Sequence, residues 1–117
     1  MINPIFSSLS ALIAFGEKLG VTSNNIANIN TDGFKRSRAI LEDTYPSGVK
    51  VSFSQVDTPG SPIPSDDGTS NVRESSNVVA EQEVVNLITT KDAYAANLKA
   101  VKTEEEILGT LFDVLDR

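Results

Sequence analysis

The sequence predicts a mainly α-helical fold with a small β insertion, in which two long terminal helices pack as an antiparallel coiled-coil hairpin. Three observations support this prediction. Apolar residues recur at alternating steps of three and four at both ends of the chain, strand-like alternation is confined to the middle, and Pro and Gly cluster just after it. We divide this single domain into a helix and turn at 1–33, an insertion at 34–76 and a second helix at 77–117.

The N-terminal segment predicts one helix over residues 2–29. Pro4 is compatible with it because the first helical turn has no intrahelical partner for the missing N–H group. Asn30 to Gly33 are turn formers that can adopt left-handed backbone angles, so the helix should end near Asn28. The heptad seam of this helix consists of Ile2, Ile5, Leu9, Leu12, Gly16, Leu19, Ser23 and Ile26.

The C-terminal segment predicts one helix over residues 77–116, with Ser76 or Asn77 as its N-cap. Such a helix is about 58 Å long, whereas a globule of this chain length has a diameter of roughly 35 Å. Its apolar surface therefore exceeds what its own chain can cover, and we expect other subunits to bury the rest. The seam consists of Ala80, Val84, Leu87, Lys91, Tyr94, Leu98, Val101, Glu105, Leu108, Phe112 and Leu115.

The middle of the chain predicts two short strands at 37–41 and 49–56, joined by a turn. Residues 57–71 hold three of the five prolines among Ser, Thr and Asp, so we expect a loop there. A two-stranded hairpin is marginal in water by itself, so the insertion should lean on another element.

Composition argues against an enzyme and against a cofactor or metal site. The chain has no Cys and no His, which removes disulfides, zinc fingers and the commonest general base. Its net charge of −6 argues against nucleic acid as a partner. We expect no membrane span, because no uninterrupted apolar run approaches about 18 residues, and no cleaved signal peptide. Gly68 and Glu74 have calcium-loop spacing, but Ile63 occupies a ligand position, which favours a solvated turn.

Two polar stretches within the helical segments admit two interpretations. One is the amide-rich stretch 23–31, and the other is the stripe of Asn86, Thr90, Ala93 and Asn97. Asn is a mediocre helix former with two donors and an acceptor, which suits it to fixing register where a helix meets a turn. The alternative is ordinary solvated polarity on a helix surface.

Both ends of the chain resemble the signatures of flagellar basal-body rod and hook proteins. The N-terminal resemblance covers residues 7–38, and the C-terminal one covers residues 75–116. The insertion, from Gly48 into the Pro-rich loop, is most similar to that of the proximal-rod protein of C type, while the C-terminal helix equally resembles the distal-rod protein. The matching motif residues are Ser23, Asn24, Asn25, Asn28, Asn30, Thr31, Gly33, Phe34, Asn77, Asn86 and Asn97.

The resemblance implies a non-enzymatic structural subunit of the basal-body rod, located in the periplasmic rod of the bacterial flagellum. Its partners would be copies of itself and other axial proteins, with the type III export apparatus during secretion. The competing hypothesis is a small helical-hairpin adaptor or export-chaperone-like binding module. The residues expected to carry packing and assembly are Leu9, Leu12, Leu19, Ile26, Leu87, Tyr94, Leu98, Val101, Leu108 and Phe112.

Overall fold

The computed structural model describes residues 4–117 and confirms the predicted fold class. Two long helices pack against each other, and a small β region lies between them in the sequence. The first predicted seam position, Ile2, lies outside the described residues. The elements are α1 (Pro4–Ala27), β1 (Ser37–Asp43), β2 (Val49–Gln55), β3 (Pro62–Pro64), β4 (Val72–Glu74) and α2 (Ala80–Leu115).

Helix α1 ends where the sequence predicts. The N–H group of Asn28 is shared between the carbonyls of Asn24 and Asn25, a bifurcated bond that closes the last turn. Gly33 then adopts a left-handed φ of 70°, a conformation available to Gly at no steric cost. The chain thereby reverses into the insertion.

Helix α2 begins at Ala80, so the predicted N-cap is wrong. Val79 occupies the capping position and makes no side-chain capping bond. Asn77 is unavailable because its side chain binds Arg36, Val56 and Thr58, and the Ser76 hydroxyl accepts from Val78 instead. The side chains of Ser76 and Asn77 therefore make other hydrogen bonds and do not cap the helix.

The two helices run antiparallel and differ in length. Ser8 lies beside Glu104, with 3.5 Å between the hydroxyl and a carboxylate oxygen, while Asn25 and Glu83 line the same cavity at the opposite end. Helix α2 has 36 residues against 24 in α1, so it continues past the described start of α1. The molecule is consequently an elongated body of 82 × 24 × 16 Å.

The contact between the helices differs from the predicted seam. Leu9 is 47% exposed, Leu98 is 53% exposed and Leu87 is 36% exposed, so these predicted seam residues leave a large part of their side chains outside the contact between α1 and α2 in the single subunit. Small and polar residues occupy the contact because they allow closer approach of the two backbones. The buried residues of the two helices are Ala11, Ala14, Thr22, Asn25, Glu83 and Thr90.

The insertion contains two hairpins. β1 and β2 pair antiparallel from Ser37↔Gln55 to Asp43↔Val49, close to the predicted strands. The expectation of an unstructured loop at 57–71 is wrong in part, since β3 and β4 form a second short antiparallel pair. Prolines occupy only the two ends of β3, where a short edge strand tolerates a missing N–H group.

By length and composition, α1 is also apolar enough to cross a membrane, with a mean hydropathy of 1.2 over 18 residues. The sequence expectation counted uninterrupted apolar residues, whereas this average spans polar interruptions. A helix that is covered by neighbouring protein can have the same length and mean hydropathy, so these two properties do not assign α1 to a membrane.

We predict that Gly60→Ala destabilises the fold by about 1–3 kcal/mol. A Cβ at this position would run into the backbone carbonyl of Ser75, next to the hydrogen bond from Ser75 N–H to the Ser61 carbonyl that closes the second hairpin. Urea unfolding followed by circular dichroism measures the change.

Gly20→Ala is the matched control. No atom outside the local helix backbone lies within 4 Å of a Cβ built there, so alanine should stabilise α1 by about 0.5–1 kcal/mol. Equal effects of the two substitutions would contradict the close approach of Gly60 to Ser75.

Candidate functional site, an assembly surface

Each helix carries two stripes that lie about a quarter turn apart. At 100° per residue, the α2 positions Glu83, Thr90 and Asn97 share one stripe, which faces α1. The heptad positions Val84, Leu87 and Leu98 lie about 90° around the same helix and are exposed. The sequence thus contains a real apolar heptad, but α1 does not cover it.

The same offset occurs on α1. Its buried stripe, which includes Ala11, Thr22 and Asn25, is separated by about a quarter to a third of a turn from Leu12 and Leu19 and by about half a turn from Leu9. Because the helices are antiparallel, equal offsets in the same rotational sense bring both heptads to one side of the hairpin. We call this side the apolar face, defined by Leu9, Leu12, Leu19, Ile26, Val84, Leu87 and Leu98. By the same rule, the half-buried Tyr94 and Val101 lie on the stripe of α2 that faces α1.

The β insertion covers the opposite side of α1. Ser10, Ile13, Ala14 and Glu17 line a groove together with the start of β2, and the N–H group of Val49 donates to the Ser10 hydroxyl at 3.0 Å. This arrangement leaves the apolar face free of the protein's own insertion. Of its members, Leu12, Leu19 and Ile26 are half-buried, and the others are exposed.

The end of α2 forms a second apolar surface, which we call the helical tip and define as residues 107–115. Pro4 and Ile5 lie against Glu104, Ile107 and Leu108, so α1 reaches only the start of the tip. Large apolar side chains then project on most sides of a helix with no described neighbour. The exposed members are Ile107, Leu108, Leu111, Phe112, Val114 and Leu115.

Asn25 fixes the insertion to the end of α1. Its side-chain amide donates to the Ser37 carbonyl at 2.8 Å and accepts from the Ser37 N–H at 2.9 Å, as the backbone of a neighbouring strand would. The side chain is 1% exposed, so the bonds are shielded from water. Asn25 therefore sets where β1 begins relative to α1.

Asn77 joins the other end of the insertion. Its carbonyl oxygen accepts from the Arg36 N–H at 2.7 Å, and its amide nitrogen donates to the carbonyls of Val56 and Thr58. The backbone of Asn77 also donates to the Phe34 carbonyl. One amide thus ties together the chain entering β1, the chain leaving β2 and the approach to α2.

The remaining motif residues have local or weaker roles. Asn28 donates to Asn24, and Thr31 donates to Asn28, within the turn after α1. Asn97 donates to the Ala93 carbonyl of its own helix, and Asn86 is half-buried near the cavity beside Asn25. Ser23, Asn24 and Asn30 are exposed. Asn25 therefore favours the register interpretation, whereas these three exposed residues favour solvated polarity. Thr90 is buried, but its hydroxyl has no hydrogen-bond partner among the described residues.

Sequence reasoning missed Ser10 and Glu83. Ser10 binds the first residue of β2, and Glu83 is buried at 3% exposure in the contact between the helices. Neither residue stands out by hydrophobic period. The sequence feature that could have located the contact between the helices was the pair of small residues Ala11 and Ala14, because small residues on one helix face permit close packing.

Ion pairs hold the short second hairpin against the turn. The Lys35 ammonium lies 2.7 Å from a Glu74 oxygen, and Arg73 pairs with Asp32 at 2.9 Å. Hydrogen bonding and the charge of Lys35 lower the pKa of the Glu74 carboxyl. Among the basic residues at 34–38, Lys35 is thereby neutralised by a carboxylate of the second hairpin.

The calcium-loop spacing corresponds to a turn in the structure. Asp67 accepts from the backbone N–H and the hydroxyl of Thr69, and these bonds lower the pKa of its carboxyl. Within residues 4–117, no group of three acidic, His or Cys side chains could hold a metal ion.

The outward apolar stripes of this elongated helical hairpin leave hydrophobic surface that a neighbouring protein could cover. Residues 6–35 match the family described as flagella basal body rod protein, and residues 69–114 match the C-terminal family of the flagellar basal body rod FlgEFG proteins. The chain belongs to the flagellar basal-body rod protein family.

Known relatives agree with this assignment over a limited segment. The chain is 46% identical over 43 residues to the flagellar basal-body rod protein FlgG of Bacillus subtilis (strain 168), which is 37% of this chain and 16% of that protein. Over 43 residues it is 49% identical to FlgG of Buchnera aphidicola subsp. Schizaphis graminum (strain Sg), again 37% of this chain and 16% of that protein. It is also 49% identical over 43 residues to the flagellar hook protein FlgE of Helicobacter mustelae, which is 37% of this chain and 10% of that protein. The matched segment is thus a small part of each relative.

We predict that Asn25→Ala destabilises the fold by about 1–3 kcal/mol, because it leaves the N–H and carbonyl groups of Ser37 without their buried partner. Asn30→Ala is the matched control, since Asn30 is exposed, and it should change stability by less than about 0.5 kcal/mol. Thermal unfolding of both variants compares them, and an unchanged Asn25→Ala midpoint would contradict the bridging role.

We also predict that the tether between Lys35 and Glu74 weakens in acid. The folded state lowers the pKa of Glu74, so its contribution is present above about pH 4.3, the ordinary value for Glu, and is lost as pH falls through the folded-state pKa. NMR titration of the Glu74 carboxyl should show a return toward the ordinary pKa in Lys35→Met. Lys99→Met, which removes a cation without an ion-pair partner among residues 4–117, should leave that titration unchanged.

Proposed function

We propose that this chain is a structural subunit of the bacterial flagellar basal-body rod, and that it assembles through its terminal helices into an axial structure for motility. The observation that carries the proposal is the outward placement of the apolar heptads on both helices, within the two segments that match the rod family. The role is mechanical and requires no catalysis or cofactor.

The surface area of the molecule supports burial by neighbours. Its accessible surface is 8224 Å², whereas a compact monomer of 12.5 kDa exposes about 6,200 Å². The excess of about 2,000 Å² is as large as a stable protein–protein interface. A subunit that is surrounded by copies of itself and by related proteins would bury this excess area on assembly.

The distribution of side chains supports the same conclusion. Packing between α1 and α2 buries Ala, Thr, Asn and Glu, which contribute little hydrophobic free energy. Leu, Val and Phe side chains remain on the surface, where burial by a partner yields about 1.5–3 kcal/mol each. Assembly therefore has hydrophobic driving force available that the isolated hairpin leaves unused.

The proposed partners are copies of this chain and other axial proteins of the basal body. We further propose that the subunit reaches the periplasmic rod through the type III export apparatus, without cleavage of a signal peptide. Support for this route comes from membership of the flagellar rod family.

The short insertion supports a proximal-rod position of C type as a finer proposal. Only residues 28–79 separate the helices, and they form two small hairpins rather than a large globular domain. Complementation of strains that each lack one rod protein tests the position. Rescue of a strain lacking a different rod protein would reassign the subunit within the rod.

We predict that Leu98→Asp reduces incorporation into basal bodies by about tenfold or more, because assembly would bury an unpaired charge. Leu98 is 53% exposed in the single subunit, so the variant should fold normally. Measurements are swimming motility and the amount of protein that co-purifies with isolated basal bodies, with circular dichroism to verify folding.

Thr89→Asp is the control for this substitution, because Thr89 is exposed on α2 away from the apolar face. It adds the same charge and should assemble normally. Normal incorporation of Leu98→Asp would contradict the apolar face, and absence of the wild-type chain from basal bodies would overturn the proposed function itself.

A further inference from the structure

The chain contains two Asp–Gly pairs, Asp32–Gly33 after α1 and Asp67–Gly68 in the turn between β3 and β4. An Asp–Gly pair can rearrange without an enzyme, because glycine has no side chain to shield its backbone nitrogen from the neighbouring carboxyl group. All four residues are exposed, and the two glycines have nearly the same φ, 70° and 71°. The two pairs therefore differ mainly in their hydrogen bonds and ion pairs.

The first pair is held by β4. The N–H group of Gly33 donates to the Glu74 carbonyl at 2.8 Å. The Asp32 carboxylate lies 2.9 Å from the Arg73 guanidinium. Both contacts must open before the Gly33 nitrogen can lose its proton and reach the carboxyl carbon of Asp32, so local opening of β4 limits any reaction here.

The second pair has no such restraint. Within residues 4–117, the N–H group of Gly68 has no hydrogen-bond acceptor. The Asp67 carboxylate accepts from the N–H group of Thr69 at 3.2 Å and from its hydroxyl at 2.6 Å. These two bonds lie within the turn and do not attach it to a helix or to the first hairpin. The turn can therefore change its backbone angles without breaking a contact with another element.

We propose that Asp67 is a site of spontaneous isomerisation to isoaspartate, and that the contact with β4 protects Asp32 from the same reaction. Water is the co-reactant, and no enzyme or cofactor is required. This inference concerns the chemistry of the chain itself, so it does not depend on the proposed function.

The reaction has two balanced steps. The Gly68 nitrogen forms a bond with Cγ of Asp67, and one carboxyl oxygen leaves as water with the proton of that nitrogen and a proton from solvent. Water then adds to either carbonyl carbon of the resulting succinimide, the bond from that carbon to nitrogen breaks, and a proton returns to solvent. Opening at Cγ regenerates aspartate. Opening at the backbone carbonyl carbon leaves Asp67 joined to Gly68 through its side chain, as isoaspartate.

Isomerisation would loosen the second hairpin. It adds one carbon atom to the backbone path in the turn, next to strands of three residues each. The bond from the Ser65 N–H group to the Asn71 carbonyl closes this turn at 3.2 Å. An insertion beside so short a ladder shifts its register or opens it. Because β4 also holds Gly33, conversion at Asp67 should increase hydrogen exchange at the Gly33 amide.

Incubation of the full-length chain in water enriched in oxygen-18 tests the proposal, because each passage through the succinimide introduces one oxygen atom from solvent. Tryptic digestion in ordinary water places the two pairs in different peptides, residues 19–35 and 51–73. Fragment-ion mass spectrometry should show label at Asp67 about tenfold faster than at Asp32, with isoaspartate at position 67. Absence of label at Asp67, or equal rates at the two positions in the folded chain, would overturn the proposal.

Two controls separate the structural cause from the local sequence. Asp67→Glu keeps the charge but would have to close a larger ring, so it should remove the label at position 67 and leave Asp32 unchanged. In concentrated urea, Asp32 and Asp67 of the wild-type chain should react at similar rates, because the contact with β4 is lost. A difference that persists in urea would overturn the protective role of β4.

Amide hydrogen exchange provides a second measurement that does not require isomerisation. Exchange also removes the proton from the backbone nitrogen, so the Gly68 amide should exchange about tenfold or more faster than the Gly33 amide in the fresh protein. NMR resolves the two glycines. Equal exchange rates, or slower exchange at Gly68, would contradict the difference in hydrogen bonding on which the proposal depends.

Discussion

The close contact between small and polar residues on α1 and α2 is the constraint on which the rest of the structure depends. Ala11 and Ala14 on one helix, and Thr90 on the other, are buried where the helices meet. Since each helix uses this stripe internally, its larger apolar heptad turns to one side. The elongated shape, the apolar face and the exposed tip all follow from that choice of contact.

The insertion is positioned by side-chain amides rather than by a hydrophobic core. Asn25 pairs with both backbone groups of Ser37, and Asn77 bridges the two ends of the first hairpin. Ser10 adds a bond at the start of β2. These bonds specify one orientation of the hairpin, because a displaced strand would leave buried polar groups unpaired. They also keep the insertion away from the apolar face.

Much of the fold could be predicted from the sequence, while the partner of each surface could not. The spacing of apolar residues predicted both helices and the heptad that contains Leu87 and Leu98. Such spacing indicates that one side of a helix becomes buried, but it does not identify the element or partner that buries it. The stripe of α2 that contacts α1 could not be predicted in this way, because Thr90 and Asn97 are not hydrophobic. Asn77 was assigned to a cap because its tertiary partners are distant in sequence. The small strands β3 and β4 were missed because proline content favours a loop.

The unequal lengths of the two helices have a mechanical consequence. Twelve more residues in α2 than in α1 make it about 18 Å longer. Where such a protrusion overlaps the next molecule in the proposed rod, the joints between successive molecules are staggered along the axis and do not lie in one plane. In the rod assembly proposed above, a torque applied along the axis would meet continuous polypeptide across every joint, and no flat plane of shear would cross the column.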